Sequence, residues 1–315
     1  MRAGASILRH PSIPAAGLTS PELAIARSVV YASLFDYPLT LAQLRQTLIE
    51  SIQTPSQVLA AYNGSAALQD AIEFRDGFFF PRGRADLIDE RRRRETRSRA
   101  FLHRNRRLLQ LVCALPYVRM VALSGSIAHL NLEGSGDLDL FIVTRGRRVW
   151  STTVAVLVLA KLLRRRRIVC ANFVVADTRL VLEQQDLFAA SQVIHLKPLL
   201  GGDVFLQLLE KNPFLFRFYP NFHAADAATL PFRQSRVLGW LQKILEIALA
   251  PVSPLAELMC RAAYRGYLRR RAATWRSPEQ VRLQVDCLKL HTQSHRQSVL
   301  ERFDRSVQSI TDIQS

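Results

Sequence analysis

The stretch that most constrains this chain is a pair of apolar runs enclosing two short polar signatures. One run ends at Leu123 and the other extends from Leu138 to Val143. Between and within them lie Gly125-Ser126 and, after ten residues, Asp137-Leu138-Asp139-Leu140. The runs read as buried strands. In a strand, residues i and i+2 share a face, so Asp137 and Asp139 project together while Leu138 and Leu140 enter a core. Two unit charges about 6 Å apart repel by roughly 3 kcal/mol at an effective dielectric of about 20. A hard divalent cation with oxygen ligands offsets such repulsion. Upstream, backbone N–H groups at a Gly-Ser turn can cradle phosphate oxygens. A phosphate cradle beside a metal-binding acid pair is the minimum apparatus for phosphoryl or nucleotidyl transfer.

The order of these residues (a hydrophobic run, Gly-Ser, a spacer of ten, then Asp-Leu-Asp-Leu) resembles the motif of the DNA polymerase β-like nucleotidyltransferase superfamily. The resemblance implies that Gly125 and Ser126 bind a nucleoside triphosphate. It implies that Asp137 and Asp139 hold magnesium and serve catalysis. It further implies a third carboxylate on a later strand, which completes the metal site and helps to deprotonate the attacking hydroxyl. That strand reads as 168–175, whose central polar residue is Asn172. An amide oxygen can coordinate a cation but cannot act as a general base. Asp177, just beyond the strand, is the nearest substitute. It reads equally well as the N-cap of a following helix. A carboxylate from this region beside Asp137 and Asp139 would favour an enzyme over a binding protein.

The 315 residues are 49% hydrophobic and carry a net charge of +17. The length provides for two or three domains. The charge favours polyanionic partners: nucleic acid, anionic membrane or nucleotides. Much of it falls on a predicted helix over 86–115, with arginines at 91–94, 97, 99, 104, 106 and 107. These arginines are not interleaved with aromatics that could stack on bases, so nucleic acid is not favoured as partner. Cysteines 113, 170, 260 and 287 lie apart among apolar residues, the pattern of reduced, buried thiols in a cytoplasmic protein. No signal peptide or transmembrane segment is expected. The apolar stretch 149–163 is too short to span a bilayer and reads as a helix packed on the sheet. The amphipathic stretch 237–259, broken by Pro251 and Pro254, admits a membrane-surface role, but core packing is the favoured reading.

Along the chain, 1–20 reads as a flexible tail. Three helices and a hairpin with an Asp76-Gly77 turn fill 21–85, with Thr40 and Gln43 forming a capping box. That order resembles a winged helix, yet 53–71, where a recognition helix would lie, has no Arg or Lys. A protein-contact module is the favoured reading. The α/β (α+β) core with a mixed sheet is expected over 86–205, including a helix at 180–191 and a short strand near Lys197. The remainder, 206–315, is expected to be helical. On such a helix Cys287, His291 and His295 would share one face, but the outer two would stand roughly 12 Å apart at 1.5 Å per residue, which suits a stripe better than a zinc site.

Two functional readings follow. One is a magnesium-dependent nucleotidyltransferase that moves a nucleoside monophosphate from a triphosphate to an acceptor the sequence does not identify, releasing pyrophosphate. The other is a nucleotide- or nucleic-acid-binding protein on a degenerate form of the same fold, without turnover.

Overall fold

The computed structural model describes residues 17–134, 136–226, 232, 234–290 and 295–311. The expected tail at 1–20 falls largely outside them. The fold is mixed α/β and divides into two compact units that interleave along the chain. One takes 17–92, 216–223 and 296–311; the other takes the described parts of 93–215 and 224–295.

The first unit opens with α1 (Ser20–Ser33), β1 (Leu39–Thr40) and α2 (Leu41–Gln46). Thr40 starts α2 through the expected box: its hydroxyl accepts from Gln43 N at 3.3 Å, and Gln43 Oε1 accepts from Thr40 N at 3.1 Å. The helix expected over 54–72, with an interruption near Asn63-Gly64, forms as α3 (Pro55–Gly64) and α4 (Ala66–Ala71), Ser65 capping the second piece. Then β2 (Ile72–Arg75) and β3 (Phe78–Pro81) form an antiparallel hairpin. Asp76 and Gly77 both have positive φ, as a tight two-residue hairpin turn demands. The three strands lie in the order β1-β3-β2, with Phe79 and Phe80 fully buried.

The basic helix α5 (Asp86–Arg104) carries the boundary between the units within it. It ends at Asn105, so the single helix expected over 86–115 is two, the second being α6 (Arg106–Cys113). The core of the second unit then follows: β4 (Val118–Leu123), α7 (Gly125–Ala128), β5 (Leu138–Thr144), α8 (Val149–Leu162) and β6 (Val169–Ala176). Next come α9 (Leu187–Ile194), β7 (Lys197–Leu200), α10 (Gly202–Glu210) and α11 (Phe214–Phe218). The helix expected from Leu180 begins only at Leu187, where Asp186 caps it by accepting from Ala189 N at 2.8 Å.

The region beyond 206 departs from its all-helical expectation. After α12 (Arg236–Leu249) and α13 (Ser253–Arg270), the chain forms a hairpin of β8 (Val281–Leu283) and β9 (Cys287–Leu290). This hairpin extends a six-stranded mixed sheet in the order β7-β4-β5-β6-β9-β8. Only β5 and β6 run parallel. Cys287 therefore lies on a strand, and no helical stripe joins it to His295; His291 lies outside the described residues. The last helix, α14 (Arg296–Thr311), belongs to the first unit, where Phe303 packs edge-on against Tyr31 of α1.

The main core lies between one face of the sheet and α6, α8 and α13. Leu138, Leu140 and Ile142 of β5 point into it beside Trp150 and Val156. Residue alternation turns Asp139, Phe141 and Val143 to the opposite face. Helix α8 is thus the sheet-packed helix that its sequence predicts. Its N-terminus is capped from α13: the buried Glu257 carboxylate accepts from the backbone N–H groups of Trp150 (2.9 Å) and Ser151 (2.8 Å). A carboxylate suits the positive end of a helix dipole. All four cysteines are free thiols, with Cys113 and Cys287 buried.

Candidate functional site

Gly125 begins the short helix α7 with a φ of +62°, a left-handed conformation that glycine adopts without steric cost. The conformation brings its backbone against Asp139: a Cβ at position 125 would lie 2.7 Å from Asp139 Oδ2. Adjacent Ser124 donates its N–H to the Asp139 carbonyl at 2.9 Å. The Gly-Ser turn and the second acid of the motif are therefore in direct contact. Asp137 is exposed, one residue before β5, and its charge reaches Asp139. Burial, and after it the Asp137 charge, raises the Asp139 carboxyl from its ordinary 3.8 to about 6. The same burial, reinforced by both acids, pushes the Cys170 thiol to about 11.

Asn172 reaches the acids through an irregularity of the sheet. Asp139 pairs with Cys170 and Phe141 with Phe173, so β6 uses three residues where β5 uses two. A bulge of this kind re-aims a side chain. Here Asn172 Nδ2 donates to Asp139 Oδ1 at 2.6 Å. Asp177 lies elsewhere. It follows Ala176, which pairs with Thr144 at the far end of β5, roughly 16 Å along the strand from Asp139 at 3.3 Å per residue. It accepts from Gly146 N at 2.9 Å and pairs with Arg119 at 3.2 Å. Asp177 is a turn-holding residue and not the third acid of the site, and it does not cap the next helix, which begins ten residues later.

Three basic side chains gather on the β7 side of the turn. Lys197 pairs in register with Leu123, the last residue of β4. The His195 ring stacks at a tilt on His129, which ends α7, with centroids 4.2 Å apart. Burial, and secondarily the Lys197 charge, lowers His195 to about 4, so it is neutral at pH 7, and its Nδ1–H donates to the Ser191 carbonyl at 2.7 Å. Lys197 is also lowered by burial.

Sequence reasoning did not foresee how the spacer between turn and acids is held. Ser98 Oγ on α5 accepts from Leu132 N at 3.1 Å, and Arg97 donates to the Leu132 carbonyl at 3.0 Å. Arg94, buried, bonds Asn131 Oδ1 at 3.4 Å and pairs with Glu133 at 3.0 Å. Asn131 N in turn donates to the Ser126 carbonyl at 2.9 Å. The signal was the spacing of 94, 97 and 98, which puts all three on one helical face. Arg91 is also a buried structural residue, bonded to the Pro38 carbonyl and to Gln43 and lying 4.2 Å over the Tyr37 ring.

Among the described residues, no three His, Cys, Asp or Glu side chains converge as a metal cluster. Magnesium does not require one: it keeps several waters and binds through one or two carboxylates plus substrate phosphates. Asp137 and Asp139 meet that requirement. Their mutual repulsion and the glycine-only contact at position 125 fit a cation bound together with a phosphate. No protein-family model matches the chain, and neither curated proteins nor solved structures give a match.

Proposed function

We propose that this protein is a nucleotidyltransferase that acts on a magnesium–nucleoside triphosphate. The contact between Gly125 and the Asp139 carboxylate carries the reading, because it joins a phosphate cradle to an acid pair as the motif of the DNA polymerase β-like superfamily requires. Asp137 and Asp139 would hold magnesium, which neutralises charge on the phosphates when bound. The turn at Gly125 and Ser126 would orient the triphosphate by backbone N–H groups. An acceptor oxygen forms a bond to the α-phosphorus, the bond to the bridging oxygen of the β-phosphate breaks, and pyrophosphate leaves. The proton of the acceptor hydroxyl passes to a base outside β6, since Asn172 cannot take it.

That last point favours a second reading on a specific observation. On this second reading Asn172, bonded to Asp139 where the superfamily motif would have a carboxylate, leaves a site that binds nucleotide without transferring it. We read the first unit as a winged-helix-like module for protein contact, from its helices, its β1-β3-β2 sheet and the absence of Arg and Lys over 53–71.

The test is to incubate the purified protein with each labelled nucleoside triphosphate and magnesium, adding cell extract as acceptor source. Retention of label and pyrophosphate release, both lost in Asp139→Asn, is the expected result. Retention without release selects the second reading. Absence of retention for every nucleotide overturns both.

A further inference from the structure

Helix α12 has its polarity reversed. Two of its polar side chains face the protein: Gln242 donates to the carbonyls of Leu115 and Val118 at 3.0 Å each, and Glu246 accepts from Tyr117 N and pairs with Arg145, both at 2.8 Å. Its apolar side chains face out. No residue of α12 is buried, and Val237, Trp240 and Ile247 are 74%, 68% and 77% exposed. The expectation that this stretch packs into a core is thereby overturned. Helix α13 continues the pattern, turning Glu257 inward while Leu255 and Met259 stay exposed. A helix that exposes this many large apolar side chains marks an interaction site.

Charge identifies what covers it. Between 235 and 270 the acids are Glu246 and Glu257, and both point inward. The exposed charges of these two helices are Arg236, Lys243, Arg269 and Arg270, all positive. A second copy of the chain would set like charges against each other across a two-fold axis, on a protein that already carries +17. A nucleic acid would leave the Val, Leu and Ile side chains uncovered. An anionic bilayer interface offers both partners at once: phosphate headgroups for the cations and the acyl boundary for the apolar stripe, with Trp at the interface.

We infer that the exposed apolar side chains of α12, with those of α13, dock this protein on an anionic lipid surface. No helix among the described residues is long and apolar enough to cross a membrane, so the attachment is peripheral. The inference is independent of the nucleotide site.

The experiment is co-sedimentation of the full chain with vesicles of phosphatidylcholine alone and of phosphatidylcholine with about one third phosphatidylserine, at low and high salt. The comparison is a Trp240→Glu, Ile247→Glu variant. Both positions are exposed, and an unchanged melting temperature verifies the variant's fold. The expected result is binding to the anionic vesicles at least about tenfold above the neutral ones, lost by at least about tenfold in the variant and weakened by salt. The Trp→Phe variant at position 240 should lose a vesicle-induced blue shift of tryptophan emission. Three results would overturn the inference: no binding to anionic vesicles, equal binding by wild type and variant, or a wild-type dimer in sedimentation equilibrium that Ile247→Glu dissociates without any vesicle binding.

Discussion

Asp139 Oδ2 would lie 2.7 Å from a Cβ at position 125, so only glycine leaves its carboxylate undisturbed. Gly125→Val adds the strain of a β-branched residue at a φ of +62° to that collision. It is expected to weaken nucleotide binding by at least about tenfold, or ~1.4 kcal/mol. Ser126→Ala should cost less, because the turn acts mainly through backbone N–H groups. Titration with a fluorescent nucleoside triphosphate measures both, and equal affinities for wild type and Gly125→Val would dispose of the cradle.

The Asp139 carboxyl, held at about 6 instead of 3.8, links stability to pH. In metal-free protein the folded state binds the extra proton between those values. Stability is therefore lost as pH rises from about 4 to about 6, by at most about 3 kcal/mol. Asp139→Asn should flatten this slope and melt higher than wild type at neutral pH in chelator. Magnesium should raise the melting temperature of wild type but not of the variant. Thermal denaturation across pH, with and without magnesium, provides the check.

Asp137→Asn and Asp139→Asn are each expected to abolish metal-dependent turnover while leaving the fold intact. Asn172→Asp acts in the opposite sense. It removes the 2.6 Å bond to Asp139 and adds a third negative charge, so the metal-free protein should be less stable. With magnesium present it should bind the metal more tightly and, under the transfer reading, raise pyrophosphate release. A decrease in magnesium affinity measured by calorimetry would show that Asn172 is not placed at the metal.

The basic helix divides into structural and surface arginines. Arg94→Ala removes a buried guanidinium that bonds Asn131 and pairs with Glu133, and should destabilise the protein by about 2 kcal/mol, seen as a lower denaturation midpoint. Alanine at the exposed Arg104, Arg106 and Arg107 should leave stability unchanged. If these three bound nucleic acid, affinity would fall steeply with salt, and their removal would flatten the slope by nearly one for each phosphate no longer neutralised. The expected result is weak polynucleotide binding with little change in that slope, measured by filter binding over a salt series.

The elements that local pattern determines were legible. Strands β4, β5 and β6, helix α8 and the Asp76-Gly77 turn lie within a residue or two of their expected positions, since alternation, apolar runs and turn chemistry are short-range signals. What failed depended on distant partners. The β8–β9 hairpin is short, and its place in the sheet is set by the edge of β6, which is distant in sequence. Asp177 stands close in sequence to Asn172 but leaves the site because β6 carries it to the other end of the sheet. The stripe on α12 has ordinary helical spacing, and spacing alone does not tell which face meets the protein. At the site, Gly125, Ser126 and the two acids were readable from their order, whereas the bulge that turns Asn172 toward Asp139 has no local signature.

The seat of β9 next to β6 also bears on synthesis. About 110 residues separate Ala176 from Cys287, and at 5–20 residues per second they take roughly 5 to 20 s to emerge from the ribosome. For that interval β6, with Asn172 upon it, has an open edge of unpaired backbone groups, the kind of template on which nascent chains associate wrongly. The sheet is completed late, only once the chain has passed Cys287.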